Sequence, residues 1–491
     1  MSLFRLTHRS LRFSVPSCPI RASLPTPSSR RHALRTFASV SAADLQFGQP
    51  VHETHPHILK AGETSVTPGI TAQEYYDRRA NLAHRLPEGA LAILPAAELK
   101  YRSGAVFHPY RQESNFLYLT GWAEGDSLAV IRNTGPQWGD FTFHLFCQPK
   151  DATAEQWSGP RNGIQAAADI FNADDAGDIN RIDKLLPEIV KSATRVYTDL
   201  ERPRQGHAES KLWSLVKGDK SWWPSTRSPL YPILNTLRAI KSPAEIANMR
   251  KAGQISGRVI TDAMRLAWTR EKDLHNFLDY CFAVDGCDGP AYIPVVGGGR
   301  NGSCIHYVLN NDVLRPGDMV MVDAGGEYGT YITDITRTWP LDGKFTPPQR
   351  DLYEAVLRVQ RASVAQCRED ARLTLDDIHD HTYRGLHEEL KSLGFDIAHR
   401  DVDRLFPHHV GHYIGLDVHD VAGYGRRVPL KSGHCVTVEP GVYVPDDERW
   451  PKHFRGLGVR IEDSICVDAS SPFILTTEAV KEVADIEALR D

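Results

Sequence analysis

The stretch GDMVMVDAGGEYGTYITDITRTWP, residues 317–340, constrains the fold more than any other part of this 491-residue chain. Met319 to Val322 form a short apolar run, as a buried strand requires, and the run ends on an acid, Asp323. AGGEYG then supplies a turn, and TYITDITRT reads as a returning strand on which Ile332, Asp334 and Thr336 share one face. Such a hairpin sets Asp323 and Asp334 side by side. A carboxylate among buried strand residues needs a cation or hydrogen-bond donors to offset its desolvation. Capping or turn roles remain open for both acids, since aspartates commonly serve turns of this kind.

Two more acids stand in similar contexts. Glu439 follows HCVTV and precedes PGVYV, and Glu462 lies in GLGVRIEDSICV, where Arg460 and Glu462 share one face of a strand. Taken alone, Glu462 suits a structural salt bridge with Arg460. The stretch PHHVGHYIGLDVHD, residues 407–420, adds four histidines. His408 and His412 are spaced i, i+4, but the glutamate of HExxH is missing, and Val410 and Gly411 weaken a helix there. His306, in SCIHYVLNN, is a lone histidine on an expected strand, where a structural hydrogen-bonding role is open to it. Four strand carboxylates with one histidine cluster form an oxygen-rich donor set, suited to two divalent cations such as Mn²⁺. A purely zinc site would favour more histidine or cysteine. GGGRNG at 297–302 matches GxGxxG, but no helical periodicity follows it, so the nucleotide reading lacks the helix N-terminus it needs.

A chain of this length exceeds one ordinary core, which implies two globular domains plus an extension. The first 37 residues carry seven arginines and no acid, and their alternation of arginine with apolar residues suits an amphipathic transit peptide. A disordered basic tail is the alternative. RTFAS at 35–39 resembles a mitochondrial processing site, and removing residues 1–37 takes the formal charge from -5 to -12. An acidic mature protein disfavours nucleic acid as a partner. No apolar run is long enough for a transmembrane segment. The eight cysteines are scattered without a CxxC pair, so a disulfide framework is not expected.

Residues 38–67 read as a linker. Thr71 with Glu74 opens a helix, and strand-like runs follow at 90–96, 115–122, 127–132 and 142–147, which predicts an α/β N-terminal domain over 68–237. KGDKSWWPSTRSP at 217–229 suits a crossover between domains. Ser242, Pro243 and Glu245 begin a second helical region with a capping box. Over 238–491, helices near 271–284, 348–368 and 375–393 alternate with β-rich runs at 303–338, 434–445 and 456–467. Strands joined by short turns predict an α+β C-terminal domain with antiparallel sheets.

These segments together resemble the aminopeptidase P/prolidase family of metallopeptidases, M24, whose catalytic domain is the pita-bread fold. VDAG, TDITRT, HHVGHYIGLDVHD, VEPG and RIED carry the resemblance, and EYYDRRANLAHRLPEGALAIL and QESNFLYLTGW look like the family's N-terminal domain. The resemblance implies that Asp323 binds one metal, that His412 and Glu439 bind a second, and that Asp334 and Glu462 bridge them. It implies hydrolysis of an N-terminal peptide bond by a water held between two metals, most simply Mn²⁺. Glu439 would be the proton acceptor, His306 and His419 would contact substrate, Arg460 would orient the carboxylates, and His408 would line the substrate pocket. His409 receives no role. The histidine-rich segment and FRGLGVRIED look most like the mitochondrial branch, the intermediate cleaving peptidases. Members of that branch remove one Tyr, Phe or Leu from the N-termini of imported proteins. That implies a mitochondrial matrix enzyme, with inner-membrane association and a nuclear pool left open, a homodimer by analogy, and activity on Xaa-Pro peptides as well. An Xaa-Pro dipeptidase and a catalytically inactive binding protein are the rival readings.

Overall fold

The computed structural model describes residues 48–51, 54–59, 65–200 and 227–491. The expected transit peptide, much of the linker and residues 217–226 of the crossover lie outside the described residues. Helix α1 (Ala72–His84) is N-capped by Thr71, which accepts the Glu74 N–H at 3.1 Å. Only half of the expected capping box forms, because the Glu74 carboxylate is drawn off to Arg78 and to the Ser242 hydroxyl, both at 2.6 Å.

The N-terminal domain is built on strands β1 (Leu91–Pro95), β2 (Leu128–Asn133), β3 (Phe141–Cys147), β4 (Asp175–Asp178), β5 (Val196–Thr198) and β6 (Arg227–Ser228). They form one mixed sheet in the order β6-β5-β1-β2-β3-β4. Side-chain alternation splits β1 and β2 between two cores. Leu91, Ile93, Leu128 and Val130 pack with Ile182, Leu186 and Val190 on one face, and Ala92, Leu94, Ala129 and Ile131 pack with Leu82 and Phe116 on the other.

One expected strand is a helix. NFLYLTGW contributes to α2 (Ser114–Thr120), whose N-cap Glu113 accepts the Phe116 N–H at 2.7 Å and whose C-cap is Gly121 at φ +69°. All seven residues of α2 are buried, polar Ser114, Asn115 and Thr120 included, so the apolar run Phe116–Leu119 carries no helical period to separate it from a buried strand.

Helix α3 (Tyr231–Ala239) spans the expected boundary after 237, and α4 (Pro243–Arg265) follows it in the second domain. The Ser242–Glu245 capping box forms in full. Helices α5 (Glu271–Val284), α6 (Pro347–Val364) and α7 (Leu375–Ser392) follow at the expected places. They surround short antiparallel sheets made from β7 (Val295–Gly298), β8 (Met319–Asp323), β9 (Gly326–Tyr328), β10 (Tyr331–Ile332) and β11 (Thr336–Pro340). Strands β12 (Cys435–Val438), β13 (Gly441–Tyr443), β14 (Gly458–Arg460), β15 (Asp463–Val467) and β16 (Pro472–Ile474) complete them. The α+β expectation holds.

The returning strand after Asp323 is not continuous. It breaks at residues 333–335, between β10 and β11, and Asp334 lies in the break. The second hairpin breaks in the same way, with Glu439 between β12 and β13 and Glu462 between β14 and β15. GGGRNG itself winds into a short 3₁₀ turn, Gly299–Ser303, and no α-helix opens at its last glycine, which agrees with rejecting the nucleotide motif. No described helix is long and apolar enough to cross a membrane.

Ser242 serves the α4 cap and also donates to Glu74 of α1. Ser242→Ala should lower the unfolding free energy by about 1–2 kcal/mol, the usual loss for an N-cap. Denaturant titration of the two proteins checks this, and an unchanged midpoint would contradict it.

Candidate metal centre

The strand breaks bring their acids to one place. Asp323 ends β8, and its register partner Thr336 begins β11 two residues beyond Asp334. The two hairpins are stitched together at this level. The Asp334 N–H donates to Ser464 Oγ at 3.1 Å, and the Glu462 N–H donates to the Thr336 carbonyl at 3.0 Å. Two glycines allow the backbones to approach: a Cβ on Gly325 would lie 1.9 Å from the Thr333 carbonyl oxygen, and one on Gly411 would lie 1.9 Å from that of Thr437. Gly411 thereby lets the histidine-rich segment run against β12. There the Glu439 N–H donates to the Val410 carbonyl at 2.7 Å and the Thr437 N–H to the His412 carbonyl at 2.9 Å.

His412 Nδ1 lies 3.1 Å from the Tyr413 carbonyl, which can only accept, so the proton sits on Nδ1. Nε2 then points at Asp334 Oδ2, 3.5 Å away, and at Glu439 Oε1, 3.6 Å away. Ligand atoms of Asp334, His412 and Glu462 lie within 4.8 Å of one another. Glu462 accepts the Thr336 hydroxyl on Oε2 at 2.6 Å, while its Oε1 is buried with no hydrogen-bond partner. The expected Arg460–Glu462 salt bridge does not form. The Arg460 guanidinium instead donates to Asp323 at 2.6 Å, to Thr336 Oγ1 at 2.9 Å and to the Tyr443 hydroxyl at 2.8 Å.

Four carboxylates thus face one another with a single guanidinium as fixed countercharge. Burial, reinforced by Asp334, pushes the Asp323 carboxyl up to about 7. Burial, then Asp334 and Glu439, raises Glu462 well above the usual carboxylate range, and burial raises Glu439 too. Burial opposes charge on His412, but its bond to Asp334 and the nearby Glu439 outweigh that and lift it to about 9. Protons here stand in for positive charge that the site lacks. An orphaned carboxylate oxygen, an imidazole nitrogen aimed at two acids and a carboxylate-rich donor set all fit divalent cations.

Of the remaining expected residues, His306, His408 and His419 line a cavity of about 490 Å³ together with His412 and Glu439. His306 lies in a turn rather than on a strand. Its segment is shaped instead by buried Asn310, which accepts the Val296 N–H at 2.9 Å and donates to the Pro294 carbonyl at 2.8 Å. His408 donates through Nδ1 to the His409 carbonyl at 2.9 Å and accepts the Tyr443 hydroxyl at 2.8 Å on Nε2. Burial and the nearby Arg460 depress it to about 3, so it stays neutral. His419 sets its ring edge-on to His412 at 4.3 Å. His409 stacks on His379 at 4.5 Å and donates to the Gly411 carbonyl, a structural role.

Sequence reasoning missed Tyr292, whose hydroxyl reaches Asp334 and also Asp323, at 2.6 Å. It missed Tyr443 and Thr336 as well. Tyr292 sits in GPAYIPVV, where nothing local marks it, whereas Thr336 could have been found from its shared face with Asp334.

The Metallopeptidase family M24 model matches residues 247–469, and the aminopeptidase P N-terminal domain model matches residues 75–197. Intermediate cleaving peptidase 55 of Saccharomyces cerevisiae is 42% identical over 97% of this chain and 95% of its own length. Xaa-Pro aminopeptidase 3 of Homo sapiens is 35% identical over 94% of both chains. Mitochondrial intermediate cleaving peptidase 55 of Arabidopsis thaliana is 34% identical over 90% of this chain and 87% of its own. A crystal structure of the Saccharomyces cerevisiae protein, with its N-terminal 58 residues deleted, superposes with a TM-score of 0.81 at 41% identity, covering 87% of this chain and 99% of that one. A second, bound to the inhibitor apstatin, gives 0.76 at 40% identity over the same shares. The chain belongs to metallopeptidase family M24, with an aminopeptidase P-type N-terminal domain and a pita-bread catalytic domain.

Cation binding must displace the protons held by Asp323 and His412, so affinity should rise with pH. Across about pH 6 to 8, Mn²⁺ affinity measured by calorimetric titration should gain up to about tenfold per pH unit for each displaced proton. An affinity flat across that range would contradict the assignment.

Proposed function

We propose that this chain is a mitochondrial aminopeptidase that removes single N-terminal residues, of the Tyr, Phe or Leu type, from presequence-processed proteins, and that it also accepts Xaa-Pro peptides. The observation that carries the reading is the gathering of Asp323, Asp334, His412, Glu439 and Glu462 beside a cavity that His412 and Glu439 line, with the buried Glu462 Oε1 left unpartnered. The names of the relatives, and the inhibitor apstatin bound by one of them, support the substrate class. The mitochondrial name of the plant relative supports the location, for which we favour the matrix.

Asp323 would hold one cation, His412 and Glu439 a second, and Asp334 and Glu462 would bridge them. Mn²⁺ is our choice for both because oxygen donors dominate the set. When bound, such ions supply Lewis-acid polarisation of the scissile carbonyl and acidify a water enough for attack near neutral pH. Glu439 lines the cavity and would take the proton of the attacking water. The Arg460 guanidinium, anchored by Thr336 and Tyr443, fixes Asp323. His408, held neutral with its proton on Nδ1, would stay a pocket wall. His306 and His419 stand on the cavity side, where the substrate's backbone would lie.

The same reading includes chain divisions after residues 37, 67 and 237, and self-processing that exposes Ala38 after loss of Phe37. It also includes a homodimer, for which the hairpin carrying Tyr101 and Phe107, 61% and 59% exposed, offers an apolar face.

Protein beginning at Ala38 and loaded with Mn²⁺ should release the first residue from peptides starting Tyr-Ala, Phe-Ala or Ala-Pro, and no turnover of any of them would sink the proposal. Glu439→Ala should stay folded and lose at least about 100-fold in kcat, the scale of a lost general base. N-terminal sequencing of the mature protein should find Ala38, and finding Phe37 in active mitochondria would refute self-processing.

A further inference from the structure

Asp420 follows His419 directly, and buried cations hold both of its carboxylate oxygens. Arg238 donates to Oδ1, and Lys241 donates to Oδ2 at 2.9 Å. The three side chains are at most 4% exposed. Arg238 also donates to Asp417 at 2.7 Å and to Asn115 at 2.6 Å, and Asp417 accepts the Ser114 hydroxyl at 2.6 Å. Arg111, just before α2, donates to the Leu416 carbonyl, and Asn235 of α3 donates to the Ala422 carbonyl at 2.8 Å. The irregular segment 416–422 is therefore tied at both ends and in the middle, in part by side chains of the N-terminal domain.

Two further observations bear on the purpose of these ties. Val421 is 3% exposed with φ at +47°, a left-handed conformation that a β-branched residue keeps only where its surroundings impose it. The His419 ring, one residue from the clamp, is hydrogen-bonded by no described residue, and its one ring contact is the edge-on approach to His412. Its direction is therefore set by the backbone that carries it. A buried ion cluster is an expensive way to hold a loop if compactness is the only need, since apolar side chains of similar volume do that as well.

We infer that the buried Arg238–Asp420–Lys241 cluster, bridged through Asp417 to Ser114, is the positioning device for His419, and that through it the N-terminal domain sets the geometry of the catalytic cavity. The inference rests on the reading of His419 as a substrate-side residue. Arg238 and Ser114 lie outside the cavity lining, and Asp420, which borders the cavity, has both carboxylate oxygens occupied by Arg238 and Lys241, so all three act through the His419 backbone.

A double-mutant cycle in the Mn²⁺-loaded enzyme tests it, with the Phe-Ala and Ala-Pro peptides as probes. Asp420→Asn should lower kcat about tenfold to a hundredfold, the cost of a misplaced catalytic contact, with KM within about threefold and full metal content. Ser114→Ala removes one hydrogen bond and no charge, so it serves if Asp420→Asn does not fold, and it should lower kcat by about twofold to fivefold. In a His419→Ala background each change should cost less than about twofold, because coupled residues are not additive. Arg250→Met, which breaks the remote Arg250–Glu478 ion pair, should leave kcat unchanged. Equal losses in both backgrounds, or loss of metal in step with activity, would overturn the positioning role. Full kcat in His419→Ala itself would instead overturn the role of His419, and the inference with it.

Discussion

The mutual repulsion of Asp323, Asp334, Glu439 and Glu462 governs the second domain. Among the described residues Arg460 is the one guanidinium bonded to any of these four carboxylates, and of the four it bonds only Asp323. The other acids are held by hydroxyl donors from Tyr292, Thr336 and Thr437 and by the His412 imidazole. Those donors cannot neutralise the charge, which is why Asp323, Glu439 and Glu462 carry raised proton affinities while Asp334, buried but bonded to His412, is held low, and why one oxygen of Glu462 is left bare. A divalent cation resolves the conflict in a way that no arrangement of side chains does.

The strand breaks follow from the same constraint. A carboxylate in the middle of a regular ladder would point into a packed face or lean away from its partners. Interrupting each hairpin at the acid turns the side chains inward while the paired strands on both sides keep the register. Gly325 and Gly411 let the interrupted segments close up at equivalent points. The N-terminal domain bears on this centre from outside, through Arg111 with Glu327, Arg78 with Glu245, and the Ser114–Asp417–Arg238 chain. These polar links, buried at Arg78 and Arg238 and partly exposed at Arg111 and Asp417, fix orientation more than they add stability, which suits a cleft whose walls come from distant parts of the sequence.

Much of the fold was legible wherever a local signal was strong. The Ser242 capping box, the apolar runs ending on Asp323 and Glu439, and the short apolar runs of β1 and β2 each announce their element. Legibility failed where burial erased the period, as in α2, whose fully buried residues look like a strand. It failed again at His306, where a β-rich composition is overridden by the buried side chain of Asn310. Arg460 and Glu462 share a face in the sequence and were natural partners, but the guanidinium found Asp323 across the sheet junction instead.

The sequence alone determined the donor chemistry: carboxylates at the ends of apolar runs, one histidine-rich segment, and too few sulfur or nitrogen ligands for a zinc-only site. Those are properties of composition and short spacing, and they do not depend on what lies across the cleft. Only the tertiary structure decided which nitrogen of His412 faces the acids, that Tyr292 and Tyr443 belong to the site, and that Asp420 is clamped by cations from before α4. Each of these depends on contacts between segments dozens to hundreds of residues apart. Such contacts are set by the packing of whole sheets and helices, which no local pattern encodes.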